Sequence, residues 1–112
     1  MIWQDKALEH AKQEAPNEAC GLVYMFKGRE KYAPAKNIAV DKLNQFTIDP
    51  KSWAETEDKG DIVAVFHSHV NCDATPSDAD KYSSEKQGLK YYIVNPRSNE
   101  WQSYEPVGYK NS

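Results

Sequence analysis

The chain has 112 residues, enough for one domain with a modest core. Hydrophobic residues make up 39% and charged residues 28%, a balance that excludes a disordered segment. A net charge of −3 without a basic cluster gives no reason to expect nucleic acid, no apolar run reaches a transmembrane length, and two cysteines make no disulfide framework. The expected setting is a reducing cytoplasm, and the opening MIWQDKALEH lacks the pattern of a secretory leader.

In chain order, Trp3, Ala7, Leu8, Ala11 and Ala15 recur at helical spacing and predict a helix over 2–15, stopped by Pro16. A strand follows from Ala19 to Phe26, then a turn at Lys27-Gly28-Arg29 and a returning arm from Glu30 to Ala33. Pro34 suits an edge or a bend. Residues 37–40 read as extended and Phe46-Thr47-Ile48 as a short strand. Asp49 caps a short helix that begins at Pro50 and runs to about Lys59. Ile62 to His69 is the most apolar strand and is expected at the centre of the sheet. A loop leads to a helix with Thr75 as N-cap, Pro76 in its first turn and Asp78 completing a capping box, ended by Gly88. Leu89–Val94 and Trp101–Tyr104 are the closing strands. Of the adjacent Tyr91 and Tyr92, only one can face the core.

The chemistry lies between Val63 and Asp80, in VAVFHSHVNCDATPSDAD. His67 and His69 are two apart on a strand and point to one face. Asp80 sits early in the following helix, on the face of Ser77. Two imidazoles and a carboxylate make a tripod that zinc accepts, with a fourth position left for water. A lone His-x-His is also an ordinary polar strand end, and a polar TPSDAD run is also an ordinary helix start. Asp73 and Cys72 compete for the ligand role; a thiolate so near two histidines could occupy the open position. Ser68 should face away from the histidines. His10 reads as a surface residue and Cys20 as a small buried one.

The combination is more specific than its parts. His-x-His, seven residues, Ser, two residues, Asp, with Glu18 upstream in PNEACGL, resembles the JAMM motif of the JAB/MPN metallopeptidases. The resemblance runs from about Trp3 to Tyr104 and implies an α/β, α+β-like fold: one mixed sheet flanked by helices, similar to cytidine deaminases. The domain is expected over residues 1–106, with 107–112 as a frayed tail. The resemblance implies Zn2+ on His67, His69 and Asp80, Glu18 as the base that serves the metal-bound water, and Ser77 as the donor to the oxyanion. It also implies that the strand bearing Glu18 adjoins the one bearing the histidines; on spacing alone Glu18 would be an exposed junction residue.

Family members cut ubiquitin-like tags or small sulfur-carrier proteins, or form the peptidase half of phage tail assembly proteins. The compact size and the closing WQSYEP look most like the phage and bacterial branch, where a cysteine-peptidase domain often accompanies this one. The expected partner is a peptide or protein: a tail protein, a cell-wall peptide or a ubiquitin-like protein. No nucleic acid or membrane is expected, and the setting is a cytoplasm, the host's if phage-encoded, or the virion. Two other functions fit the sequence less well. A non-catalytic MPN scaffold would have lost motif residues, and all five stand here. A zinc deaminase needs a Pro-Cys-x-x-Cys pair, which this sequence lacks.

Overall fold

The computed structural model describes residues 2–108. Its helices are α1 (Trp3–Glu14), α2 (Pro50–Glu57) and α3 (Asp78–Gln87). Its strands are β1 (Cys20–Phe26), β2 (Arg29–Ala35), β3 (Asp61–Ser68), β4 (Lys90–Asn95) and β5 (Glu100–Tyr104). They form one sheet in the order β2-β1-β3-β4-β5. β3 and β4 are parallel and every other pair is antiparallel, so the sheet is mixed as expected.

Alternation along β3 divides the core. Ala64 and Phe66 point to the face covered by α1, whose Trp3, Ala7 and Ala11 make one buried stripe. The two alanines let the helix lie close. Val65 points to the other face with Leu22 and Tyr91, beneath Phe46, Ile48 and Trp53. Tyr91 is buried here, while Tyr92 turns to the α1 side and meets the Trp3 ring edge-on at 4.8 Å. His67 follows Val65 by two and faces the same way; Ser68 faces α1 and accepts a hydrogen bond from the Ala19 amide at 2.8 Å.

The β1–β2 hairpin turns on Lys27 and Gly28, both with positive φ, as a two-residue type I′ turn requires. Pro34 lies in β2, an edge strand, which tolerates the missing donor. The expected extended segments 37–40 and 46–48 are not strands of the sheet. Their backbones are joined by an isolated bridge, Asn37 with Ile48, in the connection between β2 and α2. α2 is capped by Asp49 as predicted, whose side chain accepts from the Lys51 amide.

The cap of α3 differs from the sequence expectation. Ser77, not Thr75, is the N-cap, and the capping box pairs it with Asp80 rather than Asp78. Thr75 is still in the loop, where its amide donates to the Asp73 carboxylate. Pro76 fits this arrangement, because a proline keeps the chain ahead of it extended. Gly88 ends α3 with φ 68°, a left-handed turn that costs glycine little. Beyond β5, Val107 donates its amide to Glu85, so the start of the expected tail is tethered; residues 109–112 of that tail lie outside the described residues.

His10 is not a plain surface residue. It is half-buried, with Nδ1 2.6 Å from the Tyr32 hydroxyl. Burial pushes its pKa below the ordinary 6.5, against the pull of Glu14. A lowered folded pKa means that the unfolded chain takes up the proton first on acidification. The contribution of His10 is therefore complete above pH 6.5 and lost as pH falls towards its folded pKa. Melting temperatures measured from pH 7.5 to 5 should fall more for the parent than for His10→Asn; equal slopes would dismiss the effect.

Candidate metal centre

β3 and α3 meet at the carboxyl end of the parallel pair β3–β4, the place where open sheets of this kind form a crevice. The strand carries His67 into it, and the ladder continues one residue further, with the His69 amide donating to Val94 O at 3.0 Å. The loop that follows is held down by Asn95, whose Nδ2 donates to Cys72 O at 2.7 Å. α3 then delivers Asp80 from its first turn.

Donor atoms of His67, His69 and Asp80 lie within 4.8 Å of one another, and all three residues are buried. His67 Nε2 is 2.9 Å from Asp80 Oδ1, and His69 Nε2 is 3.2 Å from Oδ2. The first contact is short but not aligned as a hydrogen bond, and neither ring nitrogen of the 1% exposed His67 has a hydrogen-bond partner. Buried nitrogens left in this state cost free energy. The convergence of Nε2 of His67 and Nε2 of His69 on the Asp80 carboxylate is the geometry of ligands around a common point. The donor set of two nitrogens and an oxygen suits a divalent transition metal.

The surroundings orient the set. His69 Nδ1 is 2.9 Å from Asp73 O, so a proton on Nδ1 leaves the Nε2 lone pair facing Asp80. The capping box fixes the carboxylate: Ser77 N donates to Asp80 Oδ2 at 2.9 Å, and Asp80 N donates to Ser77 Oγ at 3.0 Å. Burial alone would raise the Asp80 pKa. His67, His69 and the Ser77 amide more than reverse it and hold the group far below the usual carboxylate range. His67 shows the mirror image: burial disfavours its cation, but Asp80 and Glu18 outweigh burial and raise its pKa.

Glu18 is brought to the same place. It lies two residues before β1, which pairs antiparallel with β3 so that Cys20 faces His67 across the ladder. The side chain is buried at 6% exposure, with Oε1 3.7 Å from His67 Nδ1. It is no exposed junction residue; the sheet order decides this, and spacing along the chain carries no trace of it. Ser77 is exposed and lines the same cleft. The two rival ligands stand apart. Asp73 turns its carboxylate to the Thr75 amide, and Cys72 lines the cleft without joining the cluster.

A cleft of about 550 Å³ opens over these groups. One wall is Leu43 to Ile48 with Trp53 and Tyr91; the other is Asn71, Cys72 and the start of α3. Phe46 stacks on His67 with ring centroids 4.3 Å apart and planes at 21°. Sequence reasoning missed this wall. An aromatic between two polar stretches was the available signal, and it was spent on a strand.

A five-stranded mixed sheet flanked by helices is the architecture of JAB/MPN domains. The chain belongs to that family: the model of prokaryotic homologs of the JAB domain matches residues 2–106. Tail tip assembly protein K of Escherichia phage N15 is 32% identical over 104 residues, 93% of this chain and 43% of that protein. This chain thus spans under half of the phage relative. The CysO-cysteine peptidase of Mycobacterium tuberculosis is 27% identical over 110 residues, covering 88% of this chain and 74% of that one. The desampylase of Haloferax volcanii is 27% identical over 114 residues, with 88% and 82% covered. Among solved structures, a Desulfitobacterium hafniense protein superposes with a TM-score of 0.73 at 27% identity, over 92% of this chain and 79% of that one. A JAB1/MPN domain protein of Archaeoglobus fulgidus shares the fold, with a TM-score of 0.58 at 20% identity over 98% and 90%. Among the described residues no helix is long and apolar enough to cross a membrane.

Proposed function

We propose that the chain is a zinc-dependent peptidase or isopeptidase. The observation that carries this is the buried His67, whose ring nitrogens lack a hydrogen-bond partner while Nε2 faces Asp80 and Nδ1 faces Glu18, beside a cleft lined by Glu18, His69 and Asp80. His67, His69 and Asp80 would hold the ion. Zinc there would polarise water, lowering its pKa to about 7. Glu18 then takes the proton of the attacking water on a carboxylate oxygen and passes it to the leaving amine. The Ser77 hydroxyl accepts its cap bond through a lone pair, so its proton is free to donate to the carbonyl oxygen as charge develops.

The substrate we propose is an extended segment, laid in the open cleft of about 550 Å³ rather than gripped as a folded tag. Likeness to the tail tip protein favours a tail component or a cell-wall peptide, met in a host cytoplasm or in the virion; likeness to the peptidase and the desampylase favours a ubiquitin-like protein. The experiment is elemental analysis of protein purified without chelator, followed by incubation with diubiquitin, ubiquitin-like tags, tail proteins and peptidoglycan peptides. One zinc per chain, cleavage of extended peptides and loss of both after chelation are expected. Zinc content unchanged in His67→Ala and Asp80→Ala would refute the tripod, and efficient diubiquitin cleavage would refute the substrate class.

A further inference from the structure

The connection between β2 and α2 contains neither helix nor sheet strand, yet it forms a wall of the cleft. Asn37 is what fixes it. This residue is buried, and every hydrogen-bonding position of its side chain is used. Nδ2 donates to Glu18 O at 2.9 Å and to Gln45 O at 3.1 Å. Oδ1 accepts from the amides of Ala39 at 3.0 Å and Thr47 at 3.1 Å. Both acceptors facing Nδ2 are carbonyls and both donors facing Oδ1 are N–H groups, so the amide has one orientation only.

We propose that Asn37 is a positioning residue that ties the backbone of Glu18 to the 45–47 wall and so sets both the base and the Phe46 ring against His67. Gln45 and Thr47 flank Phe46, the residue that stacks on His67. A second tie runs beside the first, from the Glu18 amide to Lys42 O at 2.7 Å. None of the hydrogen bonds of Asn37 reaches β3 or α3, which carry the tripod. Loss of Asn37 should therefore release the base and the wall while the metal ligands stay in place. The inference rests on the reading of Glu18 as the base for its effect on turnover, but not for its effect on Phe46.

The test is Asn37→Ser in zinc-loaded protein carrying labelled histidine. Under the Phe46 ring, the His67 ring protons should resonate upfield. They should move downfield in the variant, with the His69 protons unmoved and zinc content unchanged. Turnover on whichever peptide the parent cleaves should fall by about 10²-fold, the effect of a misplacement of about 1 Å. That fall should vanish when the substitution is made in Glu18→Gln. A merely structural role would move both histidines and lower zinc content together. If Asn37→Ser fails to fold, the parent alone decides: the Ala39 and Thr47 amides should exchange at least about tenfold more slowly than that of exposed Val40. Equal exchange, or an unmoved His67 ring in a folded variant, would overturn the inference whatever Glu18 does. Parental turnover in Glu18→Gln, with the His67 shift still dependent on Asn37, would remove the base reading and leave the tie standing.

Discussion

Glu18→Gln is expected to keep its zinc and to lose hydrolysis by about 10²–10⁴-fold, the usual contribution of a positioned general base. Glutamine has the shape of glutamate and would keep its place, because backbone bonds to Lys42 and from Asn37 hold residue 18. It cannot take a proton. Glu18 lies outside the group of donor atoms that could ligate metal, so zinc content should not change. The side chain is buried, and a neutral amide is easier to bury than a carboxylate, so thermal stability should hold or rise. The rival role for Glu18 is to orient the His67 ring, 3.7 Å away. In that case zinc affinity and turnover would fall in step. Elemental analysis and steady-state kinetics on the same preparation separate the two, and a parental rate would remove Glu18 from the mechanism.

The strands and the shared face of the two histidines were legible because their signals are local. An unbroken apolar run marked β3, and His67 and His69 had to share a face because they sit two apart on it. Glycine and proline marked the ends of α1, α3 and the hairpin. What stayed hidden depends on pairing between distant segments. Glu18 reaches the site only because β1 lies next to β3, an order that the family resemblance implied and no spacing along the chain encodes. Residues 37–48 misled because their apolar residues suit strands, while the structure commits them to one bridge and one buried amide. The cap of α3 misled for a local reason: Thr75-Pro76 and Ser77-Asp78 both fit a helix start, and the reciprocal bond with Asp80 selects the second.

That cap bears on Ser77, whose two roles predict different outcomes for different substitutions. Ser77→Ala removes both the cap and the donor. It should lower stability by about 1 kcal/mol and turnover by about 10²–10³-fold. Because the capping box also fixes Asp80, some loosening of zinc is expected with it. Ser77→Asp restores an N-cap, and its charge suits the positive end of α3. It has no proton to donate and places negative charge where the oxyanion forms, so stability should return while turnover stays low. Ser77→Asn caps equally well and keeps N–H groups, so it should recover stability and part of the rate. Thermal melts and kinetics across the three variants decide the matter. If turnover rises with stability in Ser77→Asp, the hydroxyl is a cap and nothing more; if Ser77→Asp is as stable as the parent and as slow as Ser77→Ala, the donor role stands.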